Sequence, residues 1–140
     1  MRLISKSGRV PVYGTSGAAG FDIQAWLEEP LTLYPGDRKL VPTGYYFEVP
    51  EGYEAQVRAR SGLAIKHGIG LVNGIGTVDS DYRGEIKVPL INWGNEPFTI
   101  QDGDRIAQVV ITAYTKVSFS VTGDLSDTSR GEGGFGHTGL

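Results

Sequence analysis

Apolar and polar residues alternate with a period of two along much of the chain, a pattern typical of β-strands that bury one face. The clearest example is residues 53–60, where every odd-numbered position is apolar or aromatic, and residues 117–121 repeat the pattern. Residues 86–92 and 105–111 are more continuously apolar, as expected of strands buried on both sides. Pro89 interrupts the first of these. Because proline cannot donate to a ladder, we expect an edge or bulged position there.

Turn-forming residues separate these segments at short intervals. The chain contains 21 Gly and 7 Pro, with turn signals at Pro35–Asp37, Pro42–Gly44, Pro50–Gly52, Asn92–Asn95 and Asp102–Asp104. Only residues 61–67, ended by Gly68, indicate a short helix. Many short strands between turns predict an all-β fold, a distorted jelly roll or barrel-like sandwich.

The carboxyl-terminal end has a different composition. The apolar pattern stops there, and five of the last ten residues are glycine. We therefore predict one domain over residues 1–140, with a β core over 1–121 and a flexible glycine-rich arm over 122–140. Disorder is the usual outcome for such a tail, but its Arg130 and Phe135 also suit a flap that orders on a ligand.

Charge and cysteine content exclude several classes of function. The net charge is −3 with no basic tail, which argues against nucleic-acid binding. Zero cysteine removes disulfides, thiolate catalysis and cysteine-ligated zinc. No apolar run reaches the length of a signal peptide or a membrane span, so we expect no membrane partner and a cytoplasmic location.

The segment from Gly76 to Glu85 holds a dense set of reactive side chains. Asp79 and Asp81 are two residues apart and would share one face of an extended chain, with Tyr82 pointing away. A carboxylate with an aromatic neighbour, on a turn between strands, suits general-base catalysis. Aspartate and serine are also ordinary turn residues, and taken alone the segment favours that structural explanation.

Three further polar positions stand out. Asp22 lies in an apolar strand-like run, where a carboxylate must be paired, solvated or near a metal; an exposed strand aspartate is an equal alternative. Arg60, Ser61 and Gly62 follow a strand at a turn that could meet a phosphate or cap a short helix, and the two are compatible. Gln108 lies in an apolar strand, where most glutamines are structural.

Together these residues resemble the trimeric deoxyuridine triphosphate pyrophosphatases (dUTPases). Five motifs of that family occur in order and with its spacing, and the resemblance covers the chain from end to end. The motifs are Ala19–Ala25, Arg60–Leu63, Gly76–Glu85, Gly103–Gln108 and Arg130–Gly136. One such motif would carry little weight, but five in order are specific.

The resemblance implies hydrolysis of dUTP to dUMP and pyrophosphate, which keeps uracil out of DNA and supplies dUMP for thymidylate synthesis. Asp79 would activate the water that attacks the α-phosphorus. Tyr82 would stack under the deoxyribose and exclude a 2′-hydroxyl, while Asn73 and its hairpin would read the uracil edge. The substrate-binding residues implied on this side of the site are Asn73, Gly76, Thr77, Val78, Asp79, Tyr82 and Lys87.

The resemblance assigns the phosphates to other motifs. Arg60, Ser61 and Gly62 would hold them, with Ser61 near the α–β bridge and Gln108 beside the α-phosphate. Asp22 would reach Mg²⁺ through a coordinated water, since this ion keeps its waters and takes oxygens from phosphates.

The arm would complete the site. Arg130 would pair with the γ-phosphate, Phe135 would cover the uracil, and Gly136 belongs to the same substrate-binding motif. His137 receives no role. The family shares each active site among subunits, so the resemblance also implies a homotrimer with three sites.

Two alternatives stay open. The deoxycytidine triphosphate deaminases resemble dUTPases in fold but place a glutamate in the catalytic strand, where this chain has Asp79. Composition alone favours a non-catalytic jelly-roll binding module, but such a module does not require the five motifs.

Overall fold

A computed structural model describes residues 1–134. It contains eleven strands and one short helix, which confirms the predicted all-β class. The elements are β1 (Arg2–Ser5), β2 (Gly20–Gln24), β3 (Leu31–Leu33), β4 (Arg38–Pro42), β5 (Tyr45–Glu48), β6 (Tyr53–Arg58), α1 (Ser61–His67), β7 (Ile69–Leu71), β8 (Ile75–Val78), β9 (Lys87–Asn92), β10 (Phe98–Ile100) and β11 (Arg105–Ala113).

The strands form four antiparallel sheets around one hydrophobic core. The largest sheet has the order β2-β11-β6-β8, the second is β4-β9-β7, and two strand pairs, β1-β5 and β10-β3, complete the set. In β6 the alternating Ala55 and Val57 are buried, as the sequence pattern predicts. Burial of apolar surface, at about 25 cal/mol per Å², stabilises this arrangement, which agrees with the predicted jelly-roll or sandwich class.

Pro89 occupies a different position from the one predicted. Its strand β9 is not an edge, because it lies between β4 and β7. The ladder with β7 ends at the pair Leu71–Leu90, and the Pro89 carbonyl accepts a hydrogen bond from the Val72 N–H at 3.0 Å. The N–H and C=O of one strand residue point the same way, so the missing donor faces the turn beyond β7. A proline there removes no β7 ladder bond.

The predicted strand over residues 117–121 is wrong. β11 ends at Ala113, and residues 114–134 form neither helix nor strand. Val117, Phe119 and Val121 are all strongly exposed, with Phe119 at 93%. Alternation supplies an apolar face, but a strand also needs a neighbour for its backbone N–H and C=O groups. In the part of the chain that the structure describes, this segment has no such neighbour.

Residues 61–67 form α1 as predicted. Gly68 ends the helix in the left-handed region, with φ of 69°, and its N–H donates to the carbonyl of Ala64 at 3.0 Å. Glycine is the residue that adopts this helix end without strain. No helix within residues 1–134 has the length and apolar character needed to cross a membrane.

Candidate active site

A pocket of about 280 Å³ opens beside β8; we call it the β8 pocket. Part of its wall is apolar, from Leu40, Val57 and Leu71. The other part is formed by residues that the sequence predicts to bind substrate: Asn73, Gly76, Thr77, Val78, Asp79, Tyr82 and Lys87. An apolar wall with a few convergent polar groups is typical of a small-molecule site.

The chain enters this pocket through a turn between two sheets. β7 pairs with β9, whereas β8 pairs with β6, so residues 71–76 do not form a two-stranded hairpin of the kind expected around Asn73. The Gly74 N–H donates to the Leu71 carbonyl at 3.0 Å, and Gly74 has a φ of 72°, which glycine adopts without strain. Asn73 lies at this turn and is exposed on the pocket wall.

Asp79 is the first residue after β8, and its side chain is exposed. It lines the β8 pocket and also a neighbouring recess that includes Glu54, Asp81 and Lys116. A turn follows, in which the Tyr82 N–H donates to the Asp79 carbonyl at 3.2 Å. A carboxylate at a pocket edge can accept a proton from a water bound there, and Asp81 lies on the recess side instead.

The Tyr82 ring is held by contacts within its own loop and is partly exposed to solvent. Its hydroxyl donates to the Glu85 carbonyl at 3.1 Å, and the residue is 45% exposed. The ring packs over Gly84, where a β-carbon would collide with it. The glycine therefore lets the ring lie close to the backbone, and a ring held in this way and partly exposed suits packing against an apolar or aromatic ligand group.

Sequence reasoning assigned no role to Glu85. Its side chain is only 15% exposed and lines the β8 pocket. One carboxylate oxygen accepts from the N–H groups of Thr43 and Gly44 at 3.2 and 2.9 Å, and the other lies 3.6 Å from the Lys87 ammonium. The sequence feature that could have identified Glu85 is its place two positions before a lysine at the start of a buried strand.

A second polar cluster spans β2, β11 and the end of β6. Gln108 stands opposite Asp22 in the ladder between β11 and β2. The Asp22 carboxylate accepts from Arg60 Nε at 3.1 Å and lies 3.3 Å from a terminal nitrogen of Arg105. We call Asp22, Arg60, Arg105 and Gln108 the Asp22 cluster. The structure thus brings together three predicted residues that lie far apart in sequence.

Arg105 is the member of this cluster that sequence reasoning missed. Its side chain pairs with Asp22, and its backbone carbonyl accepts a hydrogen bond from a terminal nitrogen of Arg60 at 3.0 Å. The signal was its place inside the Gly103–Gln108 motif. Gln108 donates to the Ala59 carbonyl at 3.2 Å, the kind of structural bond that a strand glutamine ordinarily makes.

Ser61 and Gly62 are exposed in the first turn of α1. Arg60 is the amino-terminal cap residue of this helix, and no side chain makes a capping hydrogen bond there. The side-chain hydrogen bond that a capped helix would need is therefore missing at Arg60. The Arg60 guanidinium instead turns toward the Asp22 cluster.

An ion pair between Arg9 and Asp102, which we call the clamp, holds the chain next to the Asp22 cluster. Arg9 forms an ion pair with Asp102 and donates to the Ala25 carbonyl at 3.2 Å, while the Leu27 N–H donates to Asp102 at 3.0 Å. These bonds, above all the one from Arg9, hold the pKa of Asp102 below its usual range. The chain that follows Arg9 lines a groove of about 330 Å³ with Asp22 and Arg105.

Only some of the arm residues predicted to bind substrate lie among the described residues. Arg130 is exposed, and its Nε donates to the Gly133 carbonyl at 2.7 Å, so the structure does not bring it to either group of residues above. Phe135, Gly136 and His137 lie outside the described residues. Within residues 1–134, none of the Asp22 cluster lines the β8 pocket.

The donors around Asp22 can be tested against Mg²⁺. No group of three or more His, Asp or Glu side chains among residues 1–134 is arranged to hold a metal. The Asp22 carboxylate is already paired with two guanidinium groups. These residues do not fit a dehydrated ion, but they fit one that keeps its waters and takes oxygens from a phosphate, because a single carboxylate then suffices.

The fold and the pocket define an all-β domain that can enclose a small planar ligand beside a carboxylate. The sequence model of the dUTPase family matches residues 6–139. The chain belongs to the dUTPase family.

Relatives and solved structures agree with this assignment. Proteins named deoxyuridine 5′-triphosphate nucleotidohydrolase are 51% identical in Finegoldia magna, with 99% of this chain and 98% of the relative covered, and 56% identical in Chlamydia pneumoniae, with 97% and 94% covered. The dUTPase of Staphylococcus bacteriophage 80alpha, solved with dUPNHPP, superposes with a TM-score of 0.89 at 25% identity, covering 99% of this chain and 96% of that chain.

Proposed function

We propose that this protein is a dUTP diphosphatase, which hydrolyses dUTP to dUMP and pyrophosphate. One observation carries the proposal: Asn73, Asp79 and Tyr82 converge on a single pocket in a chain of this family. The product dUMP then serves thymidylate synthesis, and removal of dUTP keeps uracil out of DNA. We place this activity in the cytoplasm.

Asp79 is the proposed general base. It stands at the edge of the β8 pocket with an exposed carboxylate, where it can take the proton of a water that attacks the α-phosphorus. A carboxylate within hydrogen-bond reach of that water is the kind of group that acts as a general base.

Selection of the nucleotide rests on the other pocket residues. Asn73 and the backbone of Gly76, Thr77 and Val78 read the uracil edge, and a mismatched base would leave buried polar groups unpaired. The Tyr82 ring, which Gly84 and the Glu85 carbonyl hold in place, packs against the deoxyribose and leaves no room for a 2′-hydroxyl.

Arg60, Ser61, Gly62 and Gln108 are the proposed phosphate-binding residues. Guanidinium groups suit phosphate oxygens because their paired N–H donors match the geometry. Asp22 would hold a Mg²⁺ ion through its waters, and the bound ion would supply neutralisation of phosphate charge.

We further propose that the active site is shared within a homotrimer. The Asp22 cluster and the β8 pocket have no residue in common within residues 1–134, and Arg130 contacts neither, so one chain does not supply a complete constellation. Subunits around a threefold axis can supply the missing groups to each other. In this proposal the chain is a single domain whose β core ends with β11 at Ala113, and residues 122–140 are the arm that brings Arg130, Phe135 and Gly136 over the substrate.

The test is pyrophosphate release from dUTP by the purified protein with Mg²⁺, with dTTP, dCTP and UTP as matched controls. We expect dUTP to be hydrolysed far faster than the other three. Ammonia release from dCTP would instead support the deaminase alternative. Binding of dUTP without any product would support a non-catalytic module.

A further inference from the structure

The loop that carries Asp79 and Tyr82 lies outside the strand ladders. Residues 79–86 connect β8 to β9 and belong to neither strand. Such a loop needs other bonds to hold its side chains at a pocket. The Glu85 side chain is well placed to provide them, since it is largely buried and lines the β8 pocket.

Glu85 makes ties in three directions. Its carboxylate accepts from the Thr43 and Gly44 N–H groups and faces the Lys87 ammonium at 3.6 Å. Its own carbonyl accepts from the Tyr82 hydroxyl. A carboxylate this far buried is costly without such partners, and charged acceptors make the stronger hydrogen bonds. One residue therefore joins the turn between β4 and β5, the lysine and the tyrosine.

We propose that Glu85 is a positioning residue for dUTP hydrolysis. Its carboxylate anchors the loop to the turn between β4 and β5 and holds the Lys87 ammonium at the β8 pocket. Lysine has a flexible four-carbon stem, so an anionic partner restricts where its charge is presented to a ligand. The inference rests on the proposed function, because the role of Lys87 in substrate binding is part of that proposal.

A purely structural role makes a different prediction from a positioning role. Glu85→Gln keeps an oxygen that can accept the two backbone N–H groups, but it removes the charge that faces Lys87. Glu85→Ala removes both contacts. If the side chain served only the turn, the glutamine would restore everything. If it positions Lys87, the glutamine restores the fold but not the kinetics.

The experiment measures kcat, KM and Tm for the full-length wild type, Glu85→Gln, Glu85→Ala, Lys87→Met and the Glu85→Gln/Lys87→Met double variant. We expect Glu85→Gln to lower kcat/KM for dUTP about tenfold, within the range for coupled contacting residues, while Tm stays close to wild type. Lys87→Met should have a similar effect, and the double variant should be no worse than Lys87→Met. Glu85→Ala should also lower Tm.

Glu48→Gln is the matched control, because it makes the same change in an ion pair, with Arg2 at 2.8 Å, that lies outside the β8 pocket. It should behave as wild type. Wild-type kinetics in Glu85→Gln, or losses that multiply in the double variant, would overturn the positioning role while the proposed function stands. Absence of dUTP hydrolysis in the wild type itself would overturn both.

Discussion

The β8 pocket and the Asp22 cluster are assembled in different ways. The residues predicted for the pocket come from one stretch, 73–87, and a single turn and loop place them together. The Asp22 cluster draws residues from 22 to 108 and depends on the register of β2 against β11. In the pocket the Asp79 carboxylate is exposed to solvent, whereas in the cluster the Asp22 carboxylate is already paired with two arginines.

This difference bears on binding. A ligand can enter the β8 pocket without breaking an ion pair at Asp79, but a phosphate that takes the Arg60 guanidinium competes with Asp22. Removing the carboxylate from each place should therefore have different consequences. We expect the change at Asp79 to remove chemistry, and the change at Asp22 to alter the arrangement of the arginines as well.

The largest effect is expected from Asp79→Asn. The amide cannot accept the proton of the attacking water, so kcat should fall by roughly 10²–10⁴, the usual contribution of a general base. Shape and hydrogen bonding of the pocket are almost unchanged, so dUMP should still bind. Kinetics and calorimetric titration with dUMP measure both. Asp81→Asn, on the recess side, is the matched control; unchanged turnover in Asp79→Asn would remove that residue from catalysis.

Deletion of residues 130–140 should come next. No strand or helix lies in 114–134, so the fold should persist and Tm should stay close to wild type. Loss of Arg130 and the rest of the arm should lower kcat/KM for dUTP by about 10²-fold, because closing groups exclude water and hold the phosphates. Steady-state kinetics and thermal melting test this. A truncated protein that unfolds would contradict the lid role of the arm.

Asp22→Asn should have a smaller effect. Loss of the carboxylate should release Arg60 and Arg105 and weaken the proposed hold on a hydrated Mg²⁺, so we expect kcat/KM to fall about tenfold, as for other charged pairs that position a ligand group. The measurement is dUTP hydrolysis across a Mg²⁺ titration. Excess Mg²⁺ should restore only part of the activity, since the arginines remain unpaired.

The exposed arm aspartate Asp127 provides the control for this variant. Asp127→Asn should match wild type at every Mg²⁺ concentration. Full recovery of Asp22→Asn at high Mg²⁺ would mean that the residue acts through the ion alone, and the pairing with the arginines would then have no part in catalysis.

Much of the fold could be predicted because local rules dominate it. Alternation in 53–60 and the glycine after 61–67 both report on the backbone of the residues concerned, and both elements form. Alternation in 117–121 failed because a strand depends on a neighbour that no local pattern specifies. The prediction of an edge or bulged position at Pro89 was wrong for a similar reason. The point where β7 ends depends on the sheet and cannot be read from the sequence of β9.

The candidate site divides along the same line. Residues of the 73–87 stretch were predicted as a group because they are contiguous, although the partition of β7 and β8 between two sheets was not. Arg105 and Glu85 were missed because their partners, Asp22 and the turn at Thr43, are remote in sequence. Such partners become visible only when strand register is known.

The smallest effect concerns the clamp beside the Asp22 cluster. The pKa of Asp102 is lowered in the folded protein, chiefly by its bond with Arg9. The contribution of this residue to stability is therefore present above the ordinary aspartate pKa of about 3.9 and is lost as the pH falls through the lower folded value. Asp102→Asn should therefore lower Tm at pH 7 by about 2 °C, the scale of an exposed ion pair. The gap between the two proteins should narrow as the pH falls below the ordinary aspartate pKa and through the lower folded one. Thermal melting across pH 3–8 measures it, with Asp124→Asn as the exposed control, and a gap that stays constant down to the acid end would show that the charge of Asp102 is not what holds the clamp.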